Sequence, residues 1–125
     1  MKNGVYKPGS MLKYAVTNPT SPASGDPVRI GKMTGVATAD MDTSDNKTVC
    51  DTGEFVANFP VTAKAGGAIA IGDRLFIKDG SGSAKATITN DDNSTANIFY
   101  GFSLGVVAAG ATATIPVRHI SGVGI

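Results

Sequence analysis

Acid–base and nucleophilic catalysis needs a poised His, Cys, Glu or buried Lys. This 125-residue chain has one His, one Cys and one Glu. His119 lies two residues after Val117, in a run ending at Ile120, and reads as a half-exposed strand histidine. Cys50, between Val49 and Asp51, reads as a small buried hydrophobe. Glu54 precedes Phe55 at a strand start and reads as a solvated rim residue. No catalytic triad is visible, and the expectation is a protein that is not an enzyme.

Metal and phosphate chemistry fare no better. Asp40, Asp42, Ser44 and Asp45 offer alternate oxygens, and Asp51 is twelfth counting from Asp40. A calcium loop needs Gly sixth and a bidentate Glu twelfth, whereas Asp45 and Asp51 stand there. The stretch reads as a solvated acidic turn. Gly80-x-Gly82-x-x-Lys85 lacks the third Gly of a dinucleotide fingerprint and opens no helix. The expectation is no metal and no cofactor.

The positioning elements follow from composition. Leu occurs three times, Glu once and Gln never, so the best helix formers after Ala are nearly missing. Val and Ile total 20, Thr 13 and Gly 16, which favours short strands and tight turns. Formal net charge is +1 with no basic stripe, so no nucleic-acid partner is expected. No apolar run has the length of a signal peptide or a membrane span, so a soluble, unprocessed chain is expected. Cys50 has no internal disulfide partner.

Along the chain, residues 1–10 read as an extended arm and residues 11–125 as a single all-β domain. Leu12, Tyr14 and Val16 share one side of a first short strand. Phe55, Ala57 and Phe59 share a face opposite Val56, and Pro60 suggests an edge or a strand end. Ile98 to Val107 is the most apolar stretch, and Ala113 to Ile120 closes the fold. The three Tyr and five Phe fall mostly inside apolar runs and read as core. About nine strands at spacings near ten residues imply a small β-barrel or β-sandwich.

One echo stands out. Gly25-Asp26-Pro27-Val28-Arg29-Ile30 recurs as Gly72-Asp73-Arg74-Leu75-Phe76-Ile77. Each copy predicts a turn with Gly at positive φ and Asp accepting backbone N–H groups. A weaker match sets Gly35-Val36-Ala37 against Gly105-Val106-Val107. The pattern suggests two related halves about an approximate two-fold, with an insertion near Asp79 to Asn97.

The order of these motifs resembles the tailed-phage capsid cement, or head decoration, family. The resemblance runs from residue 11 to 120 through Ser24-Gly25-Asp26-Pro27-Val28, Gly35-Val36-Ala37-Thr38 and Gly53-Glu54-Phe55-x-x-x-Phe59-Pro60. It continues through Ile69-x-x-Gly72-Asp73-Arg74-Leu75-Phe76, Gly105-Val106-Val107 and Ala113-Thr114-Ile115-x-Val117-Arg118. Each motif is short, and their order carries the likeness. Asn90 to Phe99 is longer than the family pattern, and the arm before Met11 is unlike its usual short start.

The resemblance implies a virion protein made in the host cytoplasm and added to the outside of an assembled head. It would clamp major capsid protein subunits, itself a homodimer or homotrimer on a local symmetry axis, with no cofactor, nucleic acid or membrane involved. Val5, Tyr6, Leu12 and Tyr14 would make the capsid or subunit contacts, through an arm that adds a strand to a sheet edge. The competing expectation is a β-sandwich recognition module for glycans or a host surface. The absence of Trp counts against it.

Overall fold

Alternating side chains decide the two longest strands. In β5 (Phe55–Thr62) Phe59 and Val61 are buried while Val56, Asn58 and Pro60 face out. In β9 (Thr112–His119) Ile115, Val117 and His119 are buried and Thr114, Pro116 and Arg118 exposed. The two pair antiparallel along their full length, from Phe55 opposite His119 to Thr62 opposite Thr112. Pro60 carries no N–H donor, and the pairing of β5 on its other side begins only at Val61.

The computed structural model describes residues 11–78, 85–92 and 97–120, which form strands and turns and no helix. The remaining strands are β1 (Met11–Tyr14), β2 (Pro27–Ile30), β3 (Met33–Ala37), β4 (Thr48–Asp51), β6 (Arg74–Ile77), β7 (Ile88–Thr89) and β8 (Ile98–Ser103). The first four form a sheet ordered β1-β4-β3-β2, and the other five close into a barrel ordered β5-β7-β6-β8-β9. The fold is therefore all-β, part sheet and part small barrel.

The two units repeat one another. With β5, β6, β8 and β9 matched to β1, β2, β3 and β4, the strand order is the same. Register agrees as well: Pro27 pairs with Val36 and Val28 with Gly35, as Arg74 does with Phe102 and Leu75 with Gly101. The additional strand of the second unit, β7, falls inside the stretch expected to be an insertion.

The shared turn has a physical cause. Gly25 and Gly72 take φ of 92° and 93°. Asp26 Oδ2 accepts the Ala23 N–H at 3.0 Å, and Asp73 Oδ2 accepts the Ala70 N–H at 2.8 Å. Gly25 N–H donates to the Ala37 carbonyl at 2.8 Å and Gly72 N–H to that of Ser103 at 2.7 Å. Thus the second-half partner of Gly35-Val36-Ala37 is Gly101-Phe102-Ser103. The match to Gly105-Val106-Val107 was four residues too late, because the turn hydrogen bonds set the register and not the apolar pair.

A Cβ at Gly25 or Gly72 would meet nothing within 4 Å, so substitution there strains the backbone alone. Gly25→Ala and Gly72→Ala are each expected to lower stability by about 1–2 kcal/mol, and by similar amounts. Urea unfolding midpoints at unchanged slope check this.

The cores are unequal. Phe59, Leu75, Ile77, Ile88, Tyr100 and Val117 belong to a buried cluster inside the barrel, and Val36 of the first unit packs against it. Among the described residues the apolar cluster of the first sheet is Val28, Ala37 and Cys50, flanked by Tyr14, Val16 and Ile30. At about 1.5–3 kcal/mol for each large apolar side chain buried, most hydrophobic stabilisation lies in the second unit.

Candidate functional site

His119 is not half-exposed; it has no solvent-accessible surface. The alternation that buries Ile115 and Val117 carries it inward, where it stacks on Phe55 with ring centroids 4.7 Å apart and meets the Tyr100 ring edge-on. Its Nδ1 lies 2.5 Å from the Gly53 carbonyl, which can only accept, so Nδ1 carries the proton. Nε2 then accepts from Thr34 Oγ1 at 2.8 Å. Burial holds the imidazole below its ordinary pKa, against the opposing pull of the Gly53 hydrogen bond and of Asp51 and Glu54.

These contacts join the two units. Thr34 and Gly53 belong to the first half of the chain, His119 to the last strand. Tyr100 of β8 makes a parallel connection, its hydroxyl donating to the Gly35 carbonyl at 2.7 Å. Both groups are consumed by the fold, and neither has a free lone pair or proton facing a cleft.

The other candidates are equally committed. Cys50 is buried, and burial pushes its thiol up to about 11, far from the thiolate a nucleophile needs. Glu54 is exposed at the rim and pairs with Arg118 at 3.3 Å. Asp40 accepts the Ser24 N–H, and Asp42 accepts the N–H and hydroxyl of Ser44. The Ser44 bonds, with Lys13, hold the Asp42 carboxyl at about 2. Lys13 bridges Asp42 and Asp45 at 3.0 and 2.8 Å. Among the described residues no three His, Cys, Asp or Glu side chains gather as a metal site. Gly80 and Gly82 lie outside the described residues, while Lys85 pairs with Asp26 at 3.4 Å.

Of the residues expected to touch a capsid, Val5 and Tyr6 lie outside the described residues. Leu12 is 47% exposed on β1, one of the two edge strands of its sheet, and Tyr14 is half-buried against the small first core. The turn residues Gly25, Asp26, Gly72 and Asp73 serve the fold, as their type and spacing suggest. Sequence reasoning missed the exposed trio Ile71, Leu104 and Val106. Leu104 and Val106 were hidden in what reads as one long apolar run, which leaves the strand at Ser103.

What the fold and these residues define is a small all-β protein whose buried His119 and Tyr100 hold its own halves together. The sequence model of the phage cement protein family matches residues 6–119, and the chain belongs to that family. It is a structural class, with a capsid-stabilising role in the virion, and not a class of enzymes. No curated protein and no solved structure matches the chain.

Proposed function

We propose that the protein adds to the outer surface of an assembled phage head and braces contacts between major capsid protein subunits. In this reading it is one domain, residues 11–125, preceded by the arm of residues 1–10, and it works as a homodimer or homotrimer on a local symmetry axis. The protein is made in the host cytoplasm and needs no cofactor, nucleic acid or membrane. A ligand that binds only the expanded lattice stabilises that lattice by mass action, multiplied over many equivalent sites.

The observation that supports this reading, beside family membership, is the outer edge of β1. Among the described residues its main chain pairs with β4 alone, and Met11 and Leu12 are 46% and 47% exposed. An edge strand continued by an arm is suited to adding to a neighbour's sheet through main-chain hydrogen bonds. Val5, Tyr6, Leu12 and Tyr14 are assigned to that contact.

Cosedimentation with purified expanded heads tests it. The full chain is expected to pellet with the heads. A chain lacking residues 1–10 is expected to keep its melting temperature and bind about tenfold more weakly, the effect of losing roughly 1.4 kcal/mol. Full-length protein left in the supernatant at every head concentration would overturn the reading.

A further inference from the structure

The two units are alike in order, register and turn, yet they differ sharply at one end. The turn bonds match Ser24 to Ile71, two residues before each Asp. Thr38 matches Leu104, because Thr38 N–H donates to Val49 and Leu104 N–H to Pro116, each at 2.9 Å. Two residues further on, Asp40 matches Val106. In the first unit these three positions are polar and bonded to one another: Ser24 N–H to Asp40 Oδ1 at 2.9 Å and Ser24 Oγ to the Thr38 carbonyl at 3.4 Å. In the second unit they are apolar and bare. Ile71 and Val106 are each 67% exposed and Leu104 37%.

The same fold position thus supplies its own control. Nothing about the turn requires apolar side chains there, since the first unit builds it with Ser, Thr and Asp. Ile71 and Val106, both β-branched, stand two-thirds in water, and apolar side chains grouped in this way are the kind of surface that a partner covers. The backbone beneath them is fixed: Ile69 and Val107 exchange N–H···O bonds at 2.8 and 3.0 Å, and Asp73 holds the Ala70 N–H. A partner would meet a preformed shape and would have little ordering to impose.

Area decides between occupants. The three side chains expose on the order of 300 Å², against roughly 800 Å² per partner in a stable pair of proteins. A second copy held by this surface alone would not persist. A shell to which the chain is already tethered by another contact needs no more, because the second contact forms at high effective concentration. We infer that Ile71, Leu104 and Val106 form an apolar foot that seats the chain on the major capsid protein. This rests on the capsid-binding reading above and adds the surface that carries it.

The test transplants the first unit's residues onto the second. Full-length protein, the triple variant Ile71→Ser/Leu104→Thr/Val106→Asp and the single variant Val106→Asp are cosedimented with expanded heads. Gel filtration and urea unfolding of each are run alongside. The triple variant is expected to bind at least tenfold more weakly and the single variant several-fold, both with the unfolding midpoint of the parent. Should the triple variant not fold, the exposed single substitution still decides. Parent and variants binding heads equally would overturn the foot while leaving capsid binding standing. Unchanged head binding with a dissociated oligomer would give the surface to a second copy and also overturn it. A parent that ignores heads would remove the functional reading itself.

Discussion

Gly101→Ala is expected to cost about 4 kcal/mol, a large part of the 5–15 kcal/mol that holds a small protein folded. Gly101 sits in β8 opposite His119 of β9. A Cβ there would overlap the Arg118 carbonyl oxygen and lie 2.8 Å from its carbonyl carbon and 3.0 Å from the His119 Cα. These are backbone atoms of a paired strand, so relief means parting β8 from β9 and opening the barrel. Gly67→Ala is the contrast. Its Cβ would also come within 2.8 Å of other atoms, but they belong to the flexible Lys64 side chain. That substitution is expected to stay within about 0.5 kcal/mol of the parent. Urea midpoints of the two variants check the difference, and comparable losses would show that the approach of the strands is not the constraint.

His119→Phe is expected to lose about 3 kcal/mol although the ring still fills the space between Phe55 and Tyr100. The loss comes from the Gly53 carbonyl and the Thr34 hydroxyl, stranded without the imidazole between them. Tyr100→Phe strands only the Gly35 carbonyl and is expected to cost about 1–3 kcal/mol. The imidazole also makes stability depend on pH. It titrates near 6.5 in the unfolded chain and lower in the folded one, where burial disfavours the cation. The stabilisation is complete above about 6.5 and is lost as pH falls from there through the folded value. The Gly53 hydrogen bond and the carboxylates of Asp51 and Glu54 narrow that window without reversing its sign. The Asp42 carboxyl, held at about 2, acts only below 3.8. The melting temperature of the parent is therefore expected to fall between about pH 7 and about pH 5, and that of His119→Phe to stay level. A parallel fall in both would remove His119 as the cause.

Strands were legible where side chains alternate. Phe55 to Val61 and Ile115 to Val117 announce β5 and β9, and the Gly-Asp pairs announce turns whose φ and carboxylate bonds have the expected form. The same alternation pointed His119 inward, but a polar ring is discounted on an apolar face unless its partners are known. Those partners, Thr34 and Gly53, are 85 and 66 residues away and leave no local mark. Ala84 to Thr89 reads as a strand, and Ile88 and Thr89 of it do pair, but their place between β5 and β6 depends on partners distant in the chain and leaves no local mark. Val106 misled in the opposite sense. An apolar residue next to a strand looks like core, and only the hydrogen bonds of Leu104 to Pro116 and of Val107 to Ile69 show that the chain has turned outward there.

The pairing of β5 with β9 has a consequence for how the polypeptide leaves the ribosome. All four strands of the first sheet lie before residue 52, so that sheet can assemble while the rest of the chain is still being made. Phe55 to Thr62, in contrast, waits for Thr112 to His119, the last strand among the described residues. The half with the larger core is thus the half that closes after the other, because its cylinder cannot shut until Thr112 to His119 has been made.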